Sequence, residues 1–311
     1  MRADDVLGLI GNTPLVGIHQ LSPNPDVQIF AKLEGQNPGG SAKDRIALKM
    51  IDLAERDGVL RPGAMILEPS SGNTGIGLAL VAKLRGYRLR IVMPDNVSIE
   101  RRQLLEIFGA EVISSPGAEG SNGAIRLAEQ LAADDPSLVF LFQYGNPANP
   151  LAHYEGTGPE IWRDCPEVDV FVAGLGTSGT LMGVGRFLKE QRPSVQVVAV
   201  EPPAGELVQG LRSLDDGFVP PIFDPAILDR KFIVRPRESI EWLRHLLDDC
   251  GVFAGISSGA AVAGAVKMAD QMESGTIVTL LPDGGWKYLS SGAWTDDLDV
   301  VEERATRINY W

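Results

Sequence analysis

The segment VDVFVAGLGTSGTLMGVGRFLKE, Val168–Glu190, joins an apolar run to a helical pattern through a glycine-rich turn. The apolar run, Val168–Ala173, predicts a buried strand, and Thr180–Glu190 predicts a helix because its apolar residues recur at helical spacing. The turn itself is Gly174–Thr180, and a further strand is predicted at Val195–Val200. Strand, helix and strand in this order predict a parallel sheet with a crossover helix.

The same alternation extends in both directions along the chain. The other predicted strands are Val27–Leu33, Met65–Leu67, Leu89–Met93, Glu111–Ser114, Val139–Phe142 and Thr276–Leu281. The other predicted helices are Ala42–Arg56, Ile76–Leu84, Ile99–Phe108, Ala124–Asp134, Ile240–Asp249 and Ser258–Met272. The alternation restarts after the loop Tyr144–Pro150, so we predict an α/β protein with two open parallel-sheet domains, residues 1–145 and 146–311. Residues 202–237 are rich in proline and longer than an ordinary connection, which favours a functional loop.

The bulk composition excludes several classes of function. The chain has 311 residues, enough for two domains, and a formal net charge of −13 with no run rich in Lys or Arg. These features argue against binding of nucleic acid or of an anionic membrane surface. The two cysteines and three histidines lack the spacing of a disulfide framework or of a zinc hydrolase. The first residues do not resemble a signal peptide, so we expect a cytoplasmic protein.

The turn Gly174–Thr180 has three interpretations. It contains the G-x-G-x-x-G pattern of dinucleotide sites, and Glu201, at the end of the next predicted strand, could bind the ribose. The hydroxyl groups of Thr177, Ser178 and Thr180 instead favour a loop that wraps one terminal phosphate. A glycine-rich turn without a ligand is the third interpretation.

Lys43 lies in the segment Asn37–Arg45, NPGGSAKDR. Ser41 is placed to cap the following helix, with Asp44 three residues later in a capping-box arrangement. Lys43 then lies in the first helical turn, where the helix dipole disfavours an ammonium. Either it is a solvated surface lysine, or it is an amine that must become neutral and nucleophilic.

Two further segments place small polar residues at predicted helix starts. Ser70–Gly75 follows a strand, and its backbone N–H groups suit a carboxylate or a phosphate, although a capped tight turn explains the pattern equally well. Gly255–Ala260 opens another helix and is, taken alone, an ordinary cap.

Taken together and in order, six segments resemble the cysteine synthase family, which belongs to the tryptophan-synthase-β-like class (fold type II) of pyridoxal-phosphate enzymes. They are GNTPLV (Gly11–Val16), NPGGSAKDR (Asn37–Arg45), EPSSGNTGI (Glu68–Ile76), QYGNPANP (Gln143–Pro150), GLGTSGT (Gly174–Thr180) and GISSGA (Gly255–Ala260). The resemblance runs from residue 6 to residue 295, nearly the whole chain. The stretches Met93–Glu111 and Gly285–Trp294 are most similar to the cysteine synthase B branch.

The resemblance implies a role for each matching residue. Lys43 is expected to carry pyridoxal 5'-phosphate covalently, Asn73 to bind its phenolic oxygen, and Ser257 to face its pyridine nitrogen. The expected phosphate cup is Gly176, Thr177, Ser178, Gly179 and Thr180. The residues expected to bind the substrate carboxylate are Ser70, Ser71, Gly72, Thr74 and Gln143. Many relatives carry glycine where Ser178 stands and threonine where Ser70 stands, so both departures keep a small residue.

The resemblance further implies a homodimeric transferase that makes cysteine by replacing the β-substituent of O-acetyl-L-serine or O-phospho-L-serine with sulfide. Lys43 is expected to act as the general base. Arg212 aligns with an arginine of some cysteine synthase B-like enzymes and could pair with a phosphate ester. Alternatively it is a surface arginine near Asp215 and Asp216.

Three other functions are compatible with parts of the sequence. A cystathionine β-synthase would share the fold and use homocysteine as the nucleophile. A binding module without activity would have no reason to keep Lys43, Asn73 and the predicted cup together. A dehydrogenase that uses NAD is supported by Gly174–Gly179 alone.

Overall fold

The computed structural model describes residues 2–70 and 72–307, without the side chains of residues 305–307. In these ranges ten strands form: β1 (Leu15–Gly17), β2 (Val27–Leu33), β3 (Met65–Pro69), β4 (Arg88–Pro94), β5 (Glu111–Ser115), β6 (Leu138–Phe140), β7 (Val170–Gly174), β8 (Gln196–Glu201), β9 (Arg230–Ile233) and β10 (Gly275–Leu281). The α-helices of the same ranges are α1 (Lys43–Arg56), α2 (Asn73–Arg85), α3 (Ile99–Phe108), α4 (Gly120–Asp134), α5 (Ala148–Ala152), α6 (Gly158–Asp164), α7 (Gly179–Gln191), α8 (Pro236–Cys250), α9 (Ile256–Ala269) and α10 (Leu298–Arg307).

The strands form two sheets. The larger has the order β1-β2-β10-β7-β8-β9 and the smaller has the order β5-β4-β3-β6. Every pair is parallel except β1 with β2. The predicted α/β class with two parallel sheets is therefore confirmed.

Strands β1 and β2 belong to the six-stranded sheet although they lie within the first 33 residues. Strand β2 pairs with β10 along its whole length, from Val27 opposite Gly275 to Leu33 opposite Leu281. The strands of the smaller sheet all lie between Met65 and Phe140. The division at residue 145 stays a prediction, and the start of the chain pairs with its second half.

Apolar side chains form a core on each sheet. Ile29, Val172 and Val262 are fully buried in the core around the six-stranded sheet, where α8 and α9 pack. Ile46, Ile66 and Leu78 are buried in the core of the four-stranded sheet, under α1 and α2. The helices thus bury their apolar faces on the sheets as the sequence pattern predicts.

The loops that matter for function follow the carboxyl ends of strands from both sheets. Residues 70–72 follow β3, residues 175–178 follow β7, and residues 282–284 follow β10. In open parallel sheets, ligands bind at these ends of the strands. The predicted functional loop, residues 202–237, contains strand β9 and also the segment Gly210–Arg212, which reaches the same region.

Candidate active site

A pocket opens between the two sheets, and Lys43 lies in its wall. The predicted residues that line it are Lys43, Ser70, Gly72, Asn73, Thr74, Gln143, Gly176, Thr177, Arg212 and Ser257. An adjoining smaller pocket shares Lys43 and Ser257 and adds Ser178 and Thr180. Gly179 begins helix α7 beside it, whereas Ser71 lies outside the described residues. The structure therefore brings together residues that are far apart in the sequence.

Lys43 lies in the first turn of α1, as predicted, although the helix begins at Lys43 rather than at Ala42. Burial lowers the pKa of its amine, while the carboxylates of Asp283 and Glu34 act in the opposite direction. A lowered pKa increases the neutral, nucleophilic fraction of a lysine near neutral pH. The structure thus favours the interpretation of Lys43 as a reactive amine rather than a solvated surface charge.

The predicted capping box before α1 is wrong. Ala42 occupies the cap position, and no side chain caps the helix there. Ser41 Oγ instead accepts a hydrogen bond from the backbone N–H of Lys43 at 3.2 Å, and Asp44 accepts one from Gly39 at 2.5 Å. Two glycines before the helix allow the chain to fold back on Asp44, so the carboxylate binds the preceding loop instead of the cap residue.

The loop after β3 is organised by its own side chains. Ser70 Oγ accepts hydrogen bonds from the backbone N–H groups of Gly72 at 3.3 Å and Gly75 at 3.0 Å. Thr74 Oγ1 donates to Gln143 Oε1 at 2.6 Å. Helix α2 begins at Asn73, and the N–H groups of a helix start are suited to an anion. The arrangement fits a carboxylate-binding loop.

Two glycines of the glycine-rich loop after β7 pack so closely against neighbouring segments that neither position could hold a side chain. A Cβ on Gly176 would lie 2.7 Å from the carbonyl oxygen of Gly210, and one on Gly179 would lie 1.9 Å from Asn149 Oδ1. Asn149 also donates to Thr177 Oγ1 at 3.0 Å. The backbone of the loop is therefore held close to its neighbours, with Thr177 oriented by Asn149.

Ser178 has a backbone conformation that favours glycine. Its φ of +69° lies in the left-handed region, which glycine adopts without steric cost. Its Oγ is buried and has no hydrogen-bond partner among the described residues. A buried hydroxyl without a partner suggests that a ligand completes this loop.

His153 forms a hydrogen bond with Thr180 of the glycine-rich loop. Its ring bonds Thr180 Oγ1 through Nε2 at 3.2 Å and Thr157 Oγ1 through Nδ1 at 2.9 Å. Burial lowers the pKa of His153 to about 3, so the ring is neutral at physiological pH. His153 begins a π-helical turn, His153–Thr157, between α5 and α6, which the sequence analysis did not predict.

Glu201 does not fit the role of a ribose-binding acid. It is fully buried, its Oε1 pairs with Lys231 Nζ at 2.5 Å, and its Oε2 accepts from the backbone N–H of Leu214 at 3.0 Å. Both carboxylate oxygens thus contact groups of the protein, so neither is placed to bind a ribose. This observation favours a single phosphate over a dinucleotide at the glycine-rich loop.

Arg212 is buried rather than on the surface. It is 8% exposed, and its guanidinium lies 5.1 Å and 4.8 Å from the ring centroids of Tyr144 and Phe218. Nη2 donates to Asn122 Oδ1 at 3.1 Å. The alternative of a surface arginine is therefore wrong, and the side chain lies in the pocket wall.

A polar cluster that no pattern in the sequence predicts lies behind Asn73. Lys287 Nζ donates to Asn73 Oδ1 at 2.6 Å, and Asn73 Nδ2 donates to Asp283 Oδ2 at 2.7 Å. Tyr288 donates to the same carboxylate oxygen at 2.5 Å. The stretch GWKYLSSGAW contains two of these residues, but a lone lysine in a short polar segment gives no signal of burial.

A buried ion network joins the segments Gly11–Val16 and Asn37–Arg45 to the rest of the fold. Arg45 pairs with Glu34 and Glu160, each at 2.7 Å, and Lys32 pairs with Glu160 at 2.8 Å. Thr13 donates to Glu34 at 2.6 Å. The network fixes α1, and hence Lys43, against β2 and α6.

Comparisons with known proteins agree with this geometry. Residues 6–283 match the family described as "Pyridoxal-phosphate dependent enzyme". Cysteine synthase B of Escherichia coli (strain K12) is 41% identical over 289 residues, which cover 93% of this chain and 95% of that protein.

Two solved structures have the same fold over nearly the whole chain. O-ureido-L-serine synthase is 39% identical with a TM-score of 0.89, covering 94% of this chain and 96% of that one. A cysteine synthase of Entamoeba histolytica is 34% identical with a TM-score of 0.90, covering 97% and 95%. The chain therefore belongs to the pyridoxal-phosphate dependent enzyme family.

Proposed function

We propose that this protein is a cysteine synthase that replaces the β-substituent of an O-activated L-serine with sulfide. The observation that carries the proposal is that Lys43, residues Ser70 and 72–74 of the loop after β3, and the glycine-rich loop after β7 all line one pair of adjoining pockets. An amine, a helix start that can bind a carboxylate and a loop that can bind a phosphate are the parts this chemistry needs. Relatives named cysteine synthase support it.

The residues present fit pyridoxal phosphate. Ser178 offers a buried hydroxyl that has no partner among the described residues, and its loop lines the smaller pocket together with Lys43. Lys43 would hold the cofactor covalently, Asn73 would bind the phenolic oxygen and Ser257 would face the pyridine nitrogen. When bound, the cofactor stabilises negative charge at the substrate Cα.

The protein's own groups supply position and proton transfer. The N–H groups at the start of α2, with Thr74 and Gln143, would bind the substrate carboxylate and so fix which Cα bond breaks. Lys43 Nζ would take the Cα proton and later return it, because burial lowers its pKa and so increases the neutral fraction that can accept a proton. Loss of the leaving group then exposes the β-carbon to sulfide.

The ester is proposed to include O-phospho-L-serine, alongside or instead of O-acetyl-L-serine. The buried guanidinium of Arg212 in the pocket wall supports this choice, because it can pair bidentately with a phosphate. We expect Arg212→Ala to lower kcat/KM for the phospho ester by about 10- to 100-fold while changing the acetyl ester little. Steady-state kinetics with both esters give the ratio of their kcat/KM values in wild type and in Arg212→Ala. If this ratio is the same in both, Arg212 does not determine the preference for one ester.

Sulfide is the proposed nucleophile, and homocysteine is not favoured because the similar proteins are named cysteine synthases rather than cystathionine synthases. The similarity to O-ureido-L-serine synthase makes the nucleophile worth testing directly. The experiment adds each ester to the holoenzyme, with and without sulfide or homocysteine, and measures cysteine and cystathionine. Formation of cystathionine but no cysteine would contradict the proposal.

A homodimer in the cytoplasm remains an expectation from the family resemblance. None of the helices within the described ranges is long and apolar enough to cross a membrane. Sedimentation of the purified holoenzyme tests the dimer, and cell fractionation tests the location.

A further inference from the structure

Lys287 is a buried lysine that lies behind Asn73, a residue of the pocket wall. Its side chain is 1% exposed and enters from the 3-10 helix Gly285–Ser291, which follows β10. Nζ donates to Asn73 Oδ1 at 2.6 Å and to the carbonyl oxygen of Gly40 at 3.1 Å. A buried ammonium is costly unless acceptors surround it, and here one of those acceptors belongs to a proposed cofactor ligand.

The amide of Asn73 is held between groups of opposite charge. An ammonium can only donate and a carboxylate can only accept, so Lys287 binds Oδ1 and Asp283 binds Nδ2. If the amide were flipped, its NH2 group would face the ammonium and its oxygen would face the carboxylate. Both contacts would be repulsive, so the two charges impose one orientation.

Asp283 is itself held in place. Its Oδ2 also accepts from the hydroxyl of Tyr288 at 2.5 Å, and its backbone bridges to Ser41, two residues before Lys43. Nδ2 of Asn73 has two hydrogens, and Asp283 takes one of them. The second can be donated to a group in the pocket, whose wall Asn73 forms.

We propose that Lys287 is a positioning residue that locks the Asn73 amide so that Nδ2, and not Oδ1, is offered to the pocket. This inference rests on the proposed function, because the acceptor for Nδ2 is the phenolic oxygen of pyridoxal phosphate. That oxygen requires a donor, and only the imposed orientation of the amide provides one.

The charge of Lys287 can change within an accessible pH range. Burial lowers its pKa to about 8; Asp283 and Asp44 favour the ammonium, whereas Arg101 and Lys43 disfavour it. Above this pH the neutral amine can accept as well as donate, so only Asp283 still opposes the flipped amide and the orientation of Asn73 is less strongly imposed. The visible absorbance of the bound cofactor is then expected to change near pH 8.

The test uses the holoenzyme and the variants Lys287→Met, Lys287→Arg, Asn73→Ala and Asn73→Ala/Lys287→Met. Each is measured for unfolding midpoint, dissociation constant of pyridoxal phosphate and visible spectrum against pH. We expect Lys287→Met to weaken cofactor binding about tenfold, as for the loss of one hydrogen bond to a charged group, and to remove the change near pH 8. Lys287→Arg keeps a permanent charge, so it should restore affinity but not the pH dependence.

The double variant separates positioning from general packing. If Lys287 acts through Asn73, adding Lys287→Met to Asn73→Ala changes affinity and spectrum little. Equal effects of Lys287→Met in both backgrounds, or an unaltered pH profile in a folded Lys287→Met, overturn the inference. If Lys287→Met does not fold, Asn73→Ala tests the inference instead. This variant keeps Lys287, and its visible spectrum should no longer change near pH 8. A wild type that binds no cofactor would contradict the proposed function instead.

Discussion

Ser257 shows how one buried side chain is expected to set the course of the reaction. It is 5% exposed, lies in the first turn of α9 and lines both parts of the pocket. A neutral hydroxyl beside the pyridine nitrogen does not hold a proton there, whereas a carboxylate would. A weaker electron sink favours prompt loss of the leaving group.

We therefore expect Ser257→Asp to lower kcat for cysteine formation by about tenfold or more. Ser257→Ala, which is also neutral, serves as the matched control and should retain most of the turnover. Steady-state rates with saturating ester and sulfide measure both. Wild-type turnover in Ser257→Asp would show that the group facing Ser257 is not the ring nitrogen.

Single residues also show where sequence reasoning ends. Lys43 alone had two interpretations, and its role could be inferred only from the accompanying segments. Ser41 and Asp44 were misassigned because a capping pattern does not reveal that the carboxylate folds back to Gly39. No pattern in the sequence indicates a role for Lys287, because only the tertiary structure shows that it is buried beside Asn73.

At the level of elements, the packing of α2 on α1 positions Lys43. A Cβ on Gly77 would lie 3.0 Å from the carbonyl oxygen of Lys43 and 3.2 Å from Ala47 Cβ. Gly77→Ala should therefore displace the start of α1, destabilise the protein by about 1–3 kcal/mol and weaken cofactor binding. Urea unfolding and titration with pyridoxal phosphate measure the two effects.

Gly86 provides the control on the same helix. It ends α2 with a φ of +74° and has no atom within 4 Å of an added Cβ, so Gly86→Ala strains the backbone by about 1 kcal/mol without moving α1. Its cofactor affinity should match the wild type. Wild-type affinity in Gly77→Ala as well would mean that the contact between the helices does not position Lys43.

Elements with strong periodicity were predicted well, and those made by tertiary contacts were not. Helix α3 has the predicted bounds, since Gly109 ends it in the left-handed conformation. Helices α5 and α6 and the π-helical turn between them contain proline and glycine, which are poor helix formers. Contacts with α1 and α7 stabilise them, and no local pattern reveals such contacts.

At the scale of the whole molecule, the ion network joins elements from both sheets. Lys32 lies on β2 of the larger sheet, Arg45 on α1 over the smaller one, and Glu160 on α6 pairs with both. Local periodicity predicted the strand Val27–Leu33 but not its pairing with β10, because such a pattern does not identify a distant partner. The ion network likewise joins residues that are distant in the sequence, so local periodicity does not predict it either.

We expect Glu160→Gln to lower the free energy of unfolding by about 3 kcal/mol at neutral pH, because the buried ammonium of Lys32 loses its ion-pair partner and Arg45 keeps only Glu34. Burial alone would raise the pKa of Glu160, but Arg45 and Lys32 lower it to about 2. A carboxylate with a lowered pKa stabilises the fold above its ordinary value of 4.5, and this contribution is lost as the pH falls towards 2. Urea unfolding measures the difference in unfolding free energy between wild type and Glu160→Gln at each pH. This difference should be constant near neutral pH and become smaller below pH 4.5. A difference that stays constant down to pH 2 would contradict the stabilising role of the Glu160 carboxylate.

The central claim is that Lys43, and no other lysine, carries the cofactor. Borohydride reduction of the holoenzyme, followed by digestion and mass spectrometry of the peptides, tests it most directly, because reduction fixes the cofactor to the lysine that holds it. We predict a single modified peptide with the pyridoxyl group on Lys43 and an unmodified Lys287. Modification of Lys287 or of any other lysine, or the absence of modification, would contradict the account.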